Sequence, residues 1–397
     1  MNLEKILAKV KNNNKRFEGL LPRCNMNSKG QYDLNTGGGW TDGFWVGILY
    51  LSYLLSDDKE FLDMALGYDN MKAVDVLENG LPERENEIIY IAHDLGFVFL
   101  LSQGLKYRIT GDEKAKQICI KAADRLCDRF NEKGGFIRAW DTWPHDVDPE
   151  LIEEKKGKMI IDCMMNIPLL FWATELTGDK KYYDVAYTHA KSVEKHMVRA
   201  DYSTCHTFNF NPYTGEPIGE KTSQGYSDDS CWSRGQSWAI YGFALAYSYT
   251  KDDKFLEIAK GTARYFMNQL SAFDLPCWDF DAKHHTFAPW DSSAAAICAA
   301  GCLEIERLCD NKEEKDEFRA HALRLLAALD KWCVTEDYLH IEPLLYHGTA
   351  GQVFAKGKEN NISISTIDQA LVYGDYFYIE CMLRLMEGNK NRDIQIW

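Results

Sequence analysis

The chain has 397 residues, of which 46% are hydrophobic and 26% charged, and its formal net charge at pH 7 is −15. A charge this negative argues against binding to nucleic acid or to an anionic membrane surface. Because no Pro- or Gly-rich linker divides the sequence, we expect a single domain spanning residues 1–397.

Two features indicate a reduced, cytoplasmic protein. The segment that begins at Met1 is charged and amphipathic, and it lacks the apolar core of a signal peptide. The 12 cysteines include no CxxC pair and no spacing with histidine that suits zinc. Cys298 and Cys302, four residues apart on a predicted helix, are interpreted as core packing. We therefore expect a cytoplasmic location, no metal and no cofactor.

One turn motif recurs six times along the chain, each time at the end of an apolar stretch. In the first five cases an amphipathic segment rich in Lys, Glu, Phe and Ala follows the turn, which predicts a helix on either side of it. Each turn is therefore interpreted as the loop of an αα-hairpin. The six turns are centred on Asp57, Asp112, Asp179, Asp252, Asn311 and Asn389.

The first helices of these hairpins are apolar on nearly every side, as in 95–101, 166–172 and 237–246. A helix that is hydrophobic all round is a buried helix. Polar residues interrupt each run before the roughly 18 residues needed to cross a bilayer. The hairpins could stack as an open solenoid, but the buried helices favour closure into a ring. The sequence predicts an all-α (α/α)6 barrel of six hairpins, with an inner ring of helices inside an outer ring.

Polar residues recur near the start of each predicted inner helix. They lie about 25 Å from the turns, at a rise of about 1.5 Å per residue, so they should converge on one mouth of the barrel. The alternative interpretation is that the aspartates only cap helix N-termini. The residues are Asp42, Asp94, Asp162, Arg234, Asp291 and Asp375.

Asp94 and Asp162 are the candidates for catalysis. Asp162 lies between the apolar triplets 159–161 and 163–165. Desolvation raises the pKa of a carboxyl group, which suits a proton donor, and a second carboxylate nearby separates the two pKa values further.

Four segments resemble the unsaturated glucuronyl hydrolases of glycoside hydrolase family 88. The resemblance runs from about Trp40 to Phe377 and is most specific around Asp162. It implies the (α/α)6 barrel reached above from the hairpins. The segments are 92–97, 161–173, 232–243 and 373–377.

The resemblance implies an unusual hydrolysis. Members remove a terminal uronic acid that carries a C4=C5 double bond from lyase-generated fragments of chondroitin, hyaluronan or heparin type. An acid protonates C4, water adds at C5, and the resulting hemiketal collapses. Asp162 matches the catalytic acid and base, and Asp94 matches the second carboxylate. The pattern also places His93, His206 and Gln224 at the substrate.

Further substrate contacts are expected from one arginine and several aromatic residues. A guanidinium can hold a carboxylate by two parallel hydrogen bonds, so Arg234 is the candidate for binding the uronate. Flat aromatic faces pack on sugar rings. The candidates are Trp45, Trp140, Trp238 and Tyr346, with Trp238 one helical turn after Arg234.

Two polar segments, 141–158 and 347–366, are predicted to be loops over the mouth. We expect the chain to act as a monomer or weak homodimer. Three alternatives remain at this point. They are an unsaturated rhamnogalacturonyl hydrolase, an N-acyl-hexosamine 2-epimerase, which would use paired histidines, and a helical scaffold without activity.

Overall fold

The computed structural model describes residues 2–69, 71–79, 92–142, 146–284, 288–336, 340–355, 358–386, 390–391 and 394–397. Helices dominate it, and none of those described is long and apolar enough to cross a membrane. The helices are α1 (Leu3–Phe17), α2 (Asp42–Ser56), α3 (Lys59–Leu66), α4 (Lys72–Asn79), α5 (Leu95–Phe99), α6 (Leu105–Thr110), α7 (Glu113–Cys127), α8 (Pro149–Lys156), α9 (Pro168–Thr177), α10 (Lys180–Met197), α11 (Ser233–Thr250), α12 (Asp253–Asn268), α13 (Ser292–Leu308), α14 (Lys312–Trp332) and α15 (Val372–Leu385).

Six helical units form a closed inner ring. The second unit runs from α5 through a π-helical turn, Leu100–Gly104, into α6. Each unit packs against the next, and α15 packs against α2 to close the ring. The predicted (α/α)6 barrel is confirmed. In order, the units are α2, α5 with α6, α9 with the turn that precedes it, α11, α13 and α15.

The recurring turn motif has a simple physical basis. Most of the inner helices end on a residue in the left-handed conformation, such as Gly111 or Gly178, which releases the chain from the helix. The next Asp or Asn accepts a hydrogen bond from the first turn of the outer helix, as Asp112 does from the backbone N–H of Lys114 and Ala115. The sixth turn, around Asn389, lies outside the described residues.

The sixth outer helix comes from the start of the sequence. Instead of following α15, this position is taken by α1, whose Asn14 Oδ1 accepts a hydrogen bond from Trp45 Nε1 on α2. Asn13 Nδ2 also donates to the Glu342 carbonyl oxygen, 2.8 Å away, in the connection between α14 and α15. Five hairpins are therefore continuous in sequence, and the sixth joins the two ends of the chain.

Short strands line the mouth end of the barrel. The largest sheet has three antiparallel strands in the order β5, β6, β7, and β5 runs directly into the turn that carries Asp162. The strands are β1 (Leu21–Met26), β2 (Tyr32–Asn35), β3 (Phe130–Asn131), β4 (Phe136–Ile137), β5 (Lys158–Ile160), β6 (Thr207–Phe210), β7 (Pro217–Lys221), β8 (Phe354–Ala355) and β9 (Lys358–Ile362).

The segment 141–158, predicted to be a loop, contains helix α8. Asp148 accepts a hydrogen bond from the backbone N–H of Glu150, and Pro149 occupies the first helical position. Both features start a helix, even in a polar segment without an apolar stripe. In the second predicted loop, 347–366, β8 and part of β9 form a small hairpin.

Candidate active site

Asp162 lies in the turn Ile161–Met165, between β5 and α9. Its Oδ2 atom has no hydrogen-bond partner among the described residues. Burial raises the pKa of Asp162 to about 7, while the charge of Arg234 and the nearby indole N–H of Trp238 act to lower it. A carboxyl group that is protonated near neutral pH and has a free oxygen can donate a proton to a bound molecule.

Asp94 precedes α5 but makes no capping hydrogen bond to it, unlike the N-cap Asp291, whose Oδ1 accepts from the Ser293 N–H. Burial and then the negative charge of Asp162 raise the pKa of Asp94 well above its ordinary value. The charge of Arg129 and a hydrogen bond from the Asn166 side chain oppose this shift. Asp94 and Asp162 therefore retain at least one proton near neutral pH, as expected for neighbouring buried carboxyl groups.

Two buried histidines have opposite tautomers. His93 Nδ1 lies 2.9 Å from the Ala139 carbonyl oxygen, which can only accept, so this nitrogen carries the proton. His206 Nδ1 instead accepts from the backbone N–H of Ser223 and Gln224, at 3.0 and 3.3 Å, so its proton is on Nε2. Burial is the main reason that the pKa of each falls to about 3, which keeps both rings neutral.

Neither Nε2 atom has a hydrogen-bond partner within the described part of the chain. His93 consequently presents an acceptor and lies 3.4 Å from Asp94 Oδ1. His206 presents a donor, and its ring packs on Trp232 with 4.5 Å between centroids. His93 lines the cavity described below, whereas His206 lies behind its wall and supports the backbone of Gln224.

Arg234 is 2% exposed and makes four short polar contacts. Nη1 donates to the Asp291 carboxylate and, over 2.8 Å, to the Thr349 carbonyl oxygen. Nη2 donates to Gln224 Oε1 at 2.9 Å and to the Ala350 carbonyl oxygen at 3.3 Å. A two-bond contact with a uronate, as predicted, would require one of these Nη hydrogen bonds to be exchanged. In the structure Arg234 contributes positive charge to the site and orients Gln224.

The mouth of the barrel contains a cavity with two connected chambers. The inner chamber has a volume of about 310 Å³ and contains both carboxyl groups. The outer chamber, of about 720 Å³, opens toward α8 and the glycine-rich segment 37–39. Five residues line both chambers: Cys24, Trp40, Asp94, Trp140 and Ala350.

Aromatic rings form the walls between the chambers. Trp40 and Tyr373 pack with 5.1 Å between ring centroids, and the Arg234 guanidinium lies 5.3 Å from the Tyr373 ring. Trp140 also lines both chambers, and Lys158 Nζ lies 5.4 Å from the centre of its ring. The structure thus brings Trp140 to the cavity, as predicted from the sequence.

Three of the four predicted aromatic residues do not line the cavity. Trp45 is 1% exposed, and its indole packs on Phe17 of α1 at 4.6 Å, on the outer side of the inner ring. Tyr346 packs edge-on against His347 and lines neither chamber. Trp40 and Tyr373 occupy the wall instead. Trp238 is also 1% exposed and lines neither chamber, although its indole N–H lies near Asp162.

Several residues that shape this site had no predicted role in binding or catalysis, although Asp291 was expected near the mouth. Asp291 neutralises Arg234, and Asn166 joins the two catalytic candidates by donating to the Asp162 carbonyl oxygen at 3.3 Å. Trp40 follows the turn at Gly37 and Gly38, where φ is 93° and 98°. That glycine run was a usable signal, because it marks a tight turn placed directly before a helix.

A helical barrel with an aromatic-walled cavity, two protonatable carboxyl groups and a buried arginine suits an enzyme that cleaves sugars. The family model of Glycosyl Hydrolase Family 88 matches residues 11–273. The chain belongs to glycoside hydrolase family 88 and is a glycosidase.

Characterised relatives resemble the chain over most of its length. The unsaturated glucuronyl hydrolase of Bacillus sp. (strain GL1) is 36% identical over 378 residues, which are 95% of this chain and 93% of the relative. The unsaturated chondroitin disaccharide hydrolase of Streptococcus agalactiae serotype III (strain NEM316) is 38% identical over 346 residues, or 87% of this chain and 81% of the relative.

Solved structures extend the likeness to three dimensions. The Bacillus sp. GL1 enzyme, described as responsible for the degradation of glycosaminoglycan, matches with a TM-score of 0.85 and 35% identity over 97% of this chain and 96% of that one. An Asp-to-Asn mutant of the Streptococcus agalactiae enzyme, complexed with dGlcA-GalNAc6S, matches with a TM-score of 0.76 and 32% identity over 96% and 89% of the two chains.

Proposed function

We propose that this enzyme removes the terminal unsaturated glucuronic acid from lyase-generated glycosaminoglycan disaccharides and oligosaccharides, with Asp162 as proton donor. One observation carries the proposal. At the end of the inner chamber, Asp162 has a free Oδ2 and a pKa of about 7, beside Asp94 and Arg234.

The sizes of the two chambers suit a terminal sugar and its neighbour. The inner chamber is at the lower limit of the range for small-molecule sites, about 300–1,000 Å³, so it receives one ring. The outer chamber receives the leaving sugar, between Trp40 and Trp140. Streptococcal relatives are named chondroitin disaccharide hydrolases, and a heparin-specific glucuronyl hydrolase has a similar structure. These names support an unsaturated glycosaminoglycan fragment as the substrate here.

The chemistry follows from the proton on Asp162. Asp162 donates it to C4 of the unsaturated ring, which leaves positive charge at C5. Water then adds to C5 and gives a proton back to the Asp162 carboxylate, so the residue acts first as acid and then as base. The hemiketal formed at C5 opens and releases the leaving sugar. Because the anomeric carbon is not attacked, the separation of the two carboxyl groups does not determine the stereochemistry.

The surrounding residues prepare this step. Asp94 and the neutral His93 offer polar contacts to the ring hydroxyls, and Gln224, oriented by Arg234, offers its amide. The charge of Arg234 attracts the uronate, but it also favours the ionised form of Asp162. Burial outweighs that effect, so the acid retains its proton.

We propose that the enzyme acts in the cytoplasm, as one domain in a monomer or weak homodimer, on imported fragments. None of the 12 cysteines, all of which lie in the described part of the chain, forms a disulfide, which supports a reducing compartment.

The test is the loss of ultraviolet absorbance of the C4=C5 bond during incubation with unsaturated chondroitin and hyaluronan disaccharides. Wild-type enzyme should remove the absorbance, and Asp162→Asn should reduce kcat by at least about 10³-fold because it cannot supply the proton. The matched control is Asp148→Asn at the start of α8, where Asn also serves as a helix cap, and it should behave as wild type.

If Asp162→Asn were as active as the wild type, Asp162 could not be the proton donor. Absence of activity on every unsaturated glycosaminoglycan disaccharide would contradict the substrate class, and unsaturated rhamnogalacturonan fragments would be tested next.

A further inference from the structure

Residues 394–397 fold into the end of the barrel opposite the cavity. Trp397 is 1% exposed, and its carbonyl oxygen accepts a hydrogen bond from the Tyr249 hydroxyl at 2.8 Å. The Ile396 carbonyl oxygen accepts from Arg108 Nη1. These contacts attach the segment to two inner helices, α11 and α6, on different sides of the barrel axis.

The indole of Trp397 contacts the aromatic residues that fill the barrel axis. It stacks on Phe377 with 5.7 Å between centroids and 3° between planes, and it meets Phe97 edge-on at 6.0 Å. Its Nε1 donates to Glu380 Oε2 at 3.1 Å. That carboxylate is completely buried, so the Trp397 N–H also satisfies a costly polar group.

The same two phenylalanines also contact Trp238. Phe97 and Phe377 lie 5.1 and 5.6 Å from the Trp238 ring, centroid to centroid. The Trp238 ring lies 6.5 Å from that of Tyr373, and Phe97 lies 5.9 Å from Trp40, both centroid to centroid. Tyr373 and Trp40 line the inner chamber, and the indole N–H of Trp238 lies near Asp162. A continuous column of rings therefore runs from Trp397 through the two phenylalanines to Trp238.

The orientation of Trp238 depends on this packing. Its Nε1 lies near the Asp162 carboxyl group but makes no hydrogen bond of normal geometry to the described residues, so the N–H alone does not fix the plane of the ring. The orientation of the Trp238 ring is therefore set mainly by its close packing against Phe97 and Phe377. Because the column is close-packed, displacing one ring also moves the rings packed against it.

We propose that Trp397 is a positioning residue for the active site. By filling the barrel end beneath Phe97 and Phe377, it holds the Trp238 indole against Asp162. This inference rests on the proposed function, because it assumes that Asp162 donates the proton.

The test compares three substitutions at this position. Trp397→Ala removes the support, and we expect kcat to fall about tenfold while KM changes less than about twofold, since substrate contacts in the cavity are intact. The basic limb of the pH–rate profile should also move to higher pH, because Trp238 would no longer lower the pKa of Asp162. Trp397→Phe keeps the stacking ring and should restore the wild-type kcat and profile.

Trp172→Ala is the matched control. Trp172 is 5% exposed on α9 and contacts Tyr107 at 6.0 Å and Arg108 at 4.3 Å, near residues 394–397 but outside the column of rings. Its removal should lower the melting temperature without moving the pH profile. If Trp397→Ala does not fold, Trp397→Leu provides the same comparison, because it fills volume without a flat ring.

A wild-type pH limb and kcat in the folded Ala or Leu variant would overturn the positioning role. If the pH limb moved by the same amount in Trp172→Ala, the effect of Trp397→Ala would be explained by general destabilisation, and the positioning role would also be overturned. Absence of turnover by the wild type itself would contradict the proposed function, and this inference with it. The two failures are therefore distinguishable by the wild-type reaction alone.

Discussion

Asp94 and Asp162 show how position gives the same side chain different chemistry. Asp94 is held by a hydrogen bond from Asn166 and lies beside His93, whereas Asp162 keeps a free oxygen toward the inner chamber. Burial is the main cause of the raised pKa in both. The difference in hydrogen bonding makes Asp162 the residue that is free to exchange a proton.

The first prediction concerns pH. Because the reaction requires protonated Asp162, kcat/KM should fall about tenfold per pH unit above a pKa near 7. Rates on unsaturated chondroitin disaccharide between pH 5 and 9 would measure this, with circular dichroism at each pH to exclude unfolding. A flat profile across this range would contradict a donor with a raised pKa.

The second prediction concerns Asp291, the buried partner of Arg234. Asp291→Asn leaves the guanidinium charge uncompensated, and it should cost about 3 kcal/mol of unfolding free energy, measured by urea denaturation. The less neutralised Arg234 should also lower the pKa of Asp162, so the basic limb should move to lower pH. Asn can still cap α13, which separates the charge effect from the loss of a cap.

At the scale of helices, close backbone contacts set the position of the catalytic turn. Gly242 on α11 lies against Met164, and a Cβ built on this glycine would come within 2.4 Å of the Met164 Cβ and 2.9 Å of its backbone. Gly96 on α5 is similarly close to Asn166, at 2.5 Å from its Cα. Without these side-chain-free surfaces, the two helices could not enclose the turn Ile161–Met165.

The third prediction follows from this contact. Gly242→Ala should destabilise the fold by about 1 to 3 kcal/mol through overpacking, and it should also reduce kcat because the turn that carries Asp162 must move. Thermal unfolding and steady-state kinetics would measure the two effects. Gly178→Ala, at a turn with open space around it but with φ of 75°, is the comparison in which stability falls and kcat does not. Wild-type kcat in Gly242→Ala would show that the turn tolerates displacement.

Much of the helical architecture was predictable from the sequence because the turn at each hairpin has its own chemistry. The Asp or Asn cap is a local signal that recurs at all five described turns, and the left-handed residue recurs at four of them. The origin of the sixth outer helix was not predictable in this way, since the packing of α1 against α2 depends on closure of the whole ring.

The orientation of inner-helix side chains was the least predictable feature of the site. A helix such as α2, buried on every side, has no amphipathic phase to show which face points to the cavity. Trp45 was therefore selected although it faces α1, and Trp40, which precedes the same helix, was missed. Asp94 and Asp162 line the inner chamber as expected, because the motifs at 92–97 and 161–173 marked them independently of helix phase.

For the whole molecule, the net charge of −15 opposes the approach of an anionic substrate. The fourth prediction is that kcat/KM for an unsaturated disaccharide will rise about twofold as salt increases from about 10 to 150 mM, because the repulsion is screened over a Debye length. The methyl ester of the same disaccharide, which has no charge, is the control and should show no such rise. A fall in kcat/KM with salt would instead indicate that local cations at the mouth dominate.

The filled end of the barrel limits the route by which substrate enters and products leave the site. Among the described residues, Phe97, Phe377 and Trp397 fill the axis at that end, so the inner chamber opens through the outer one, where the proposed leaving sugar would lie after bond cleavage. We therefore expect products to depart in a fixed order, the leaving sugar first and the keto acid derived from the uronate last. Added keto acid should accordingly compete with substrate for the free enzyme, whereas added leaving sugar should not. Because only the terminal residue carries the C4=C5 bond that the proposed reaction requires, each fragment should lose one residue and no more.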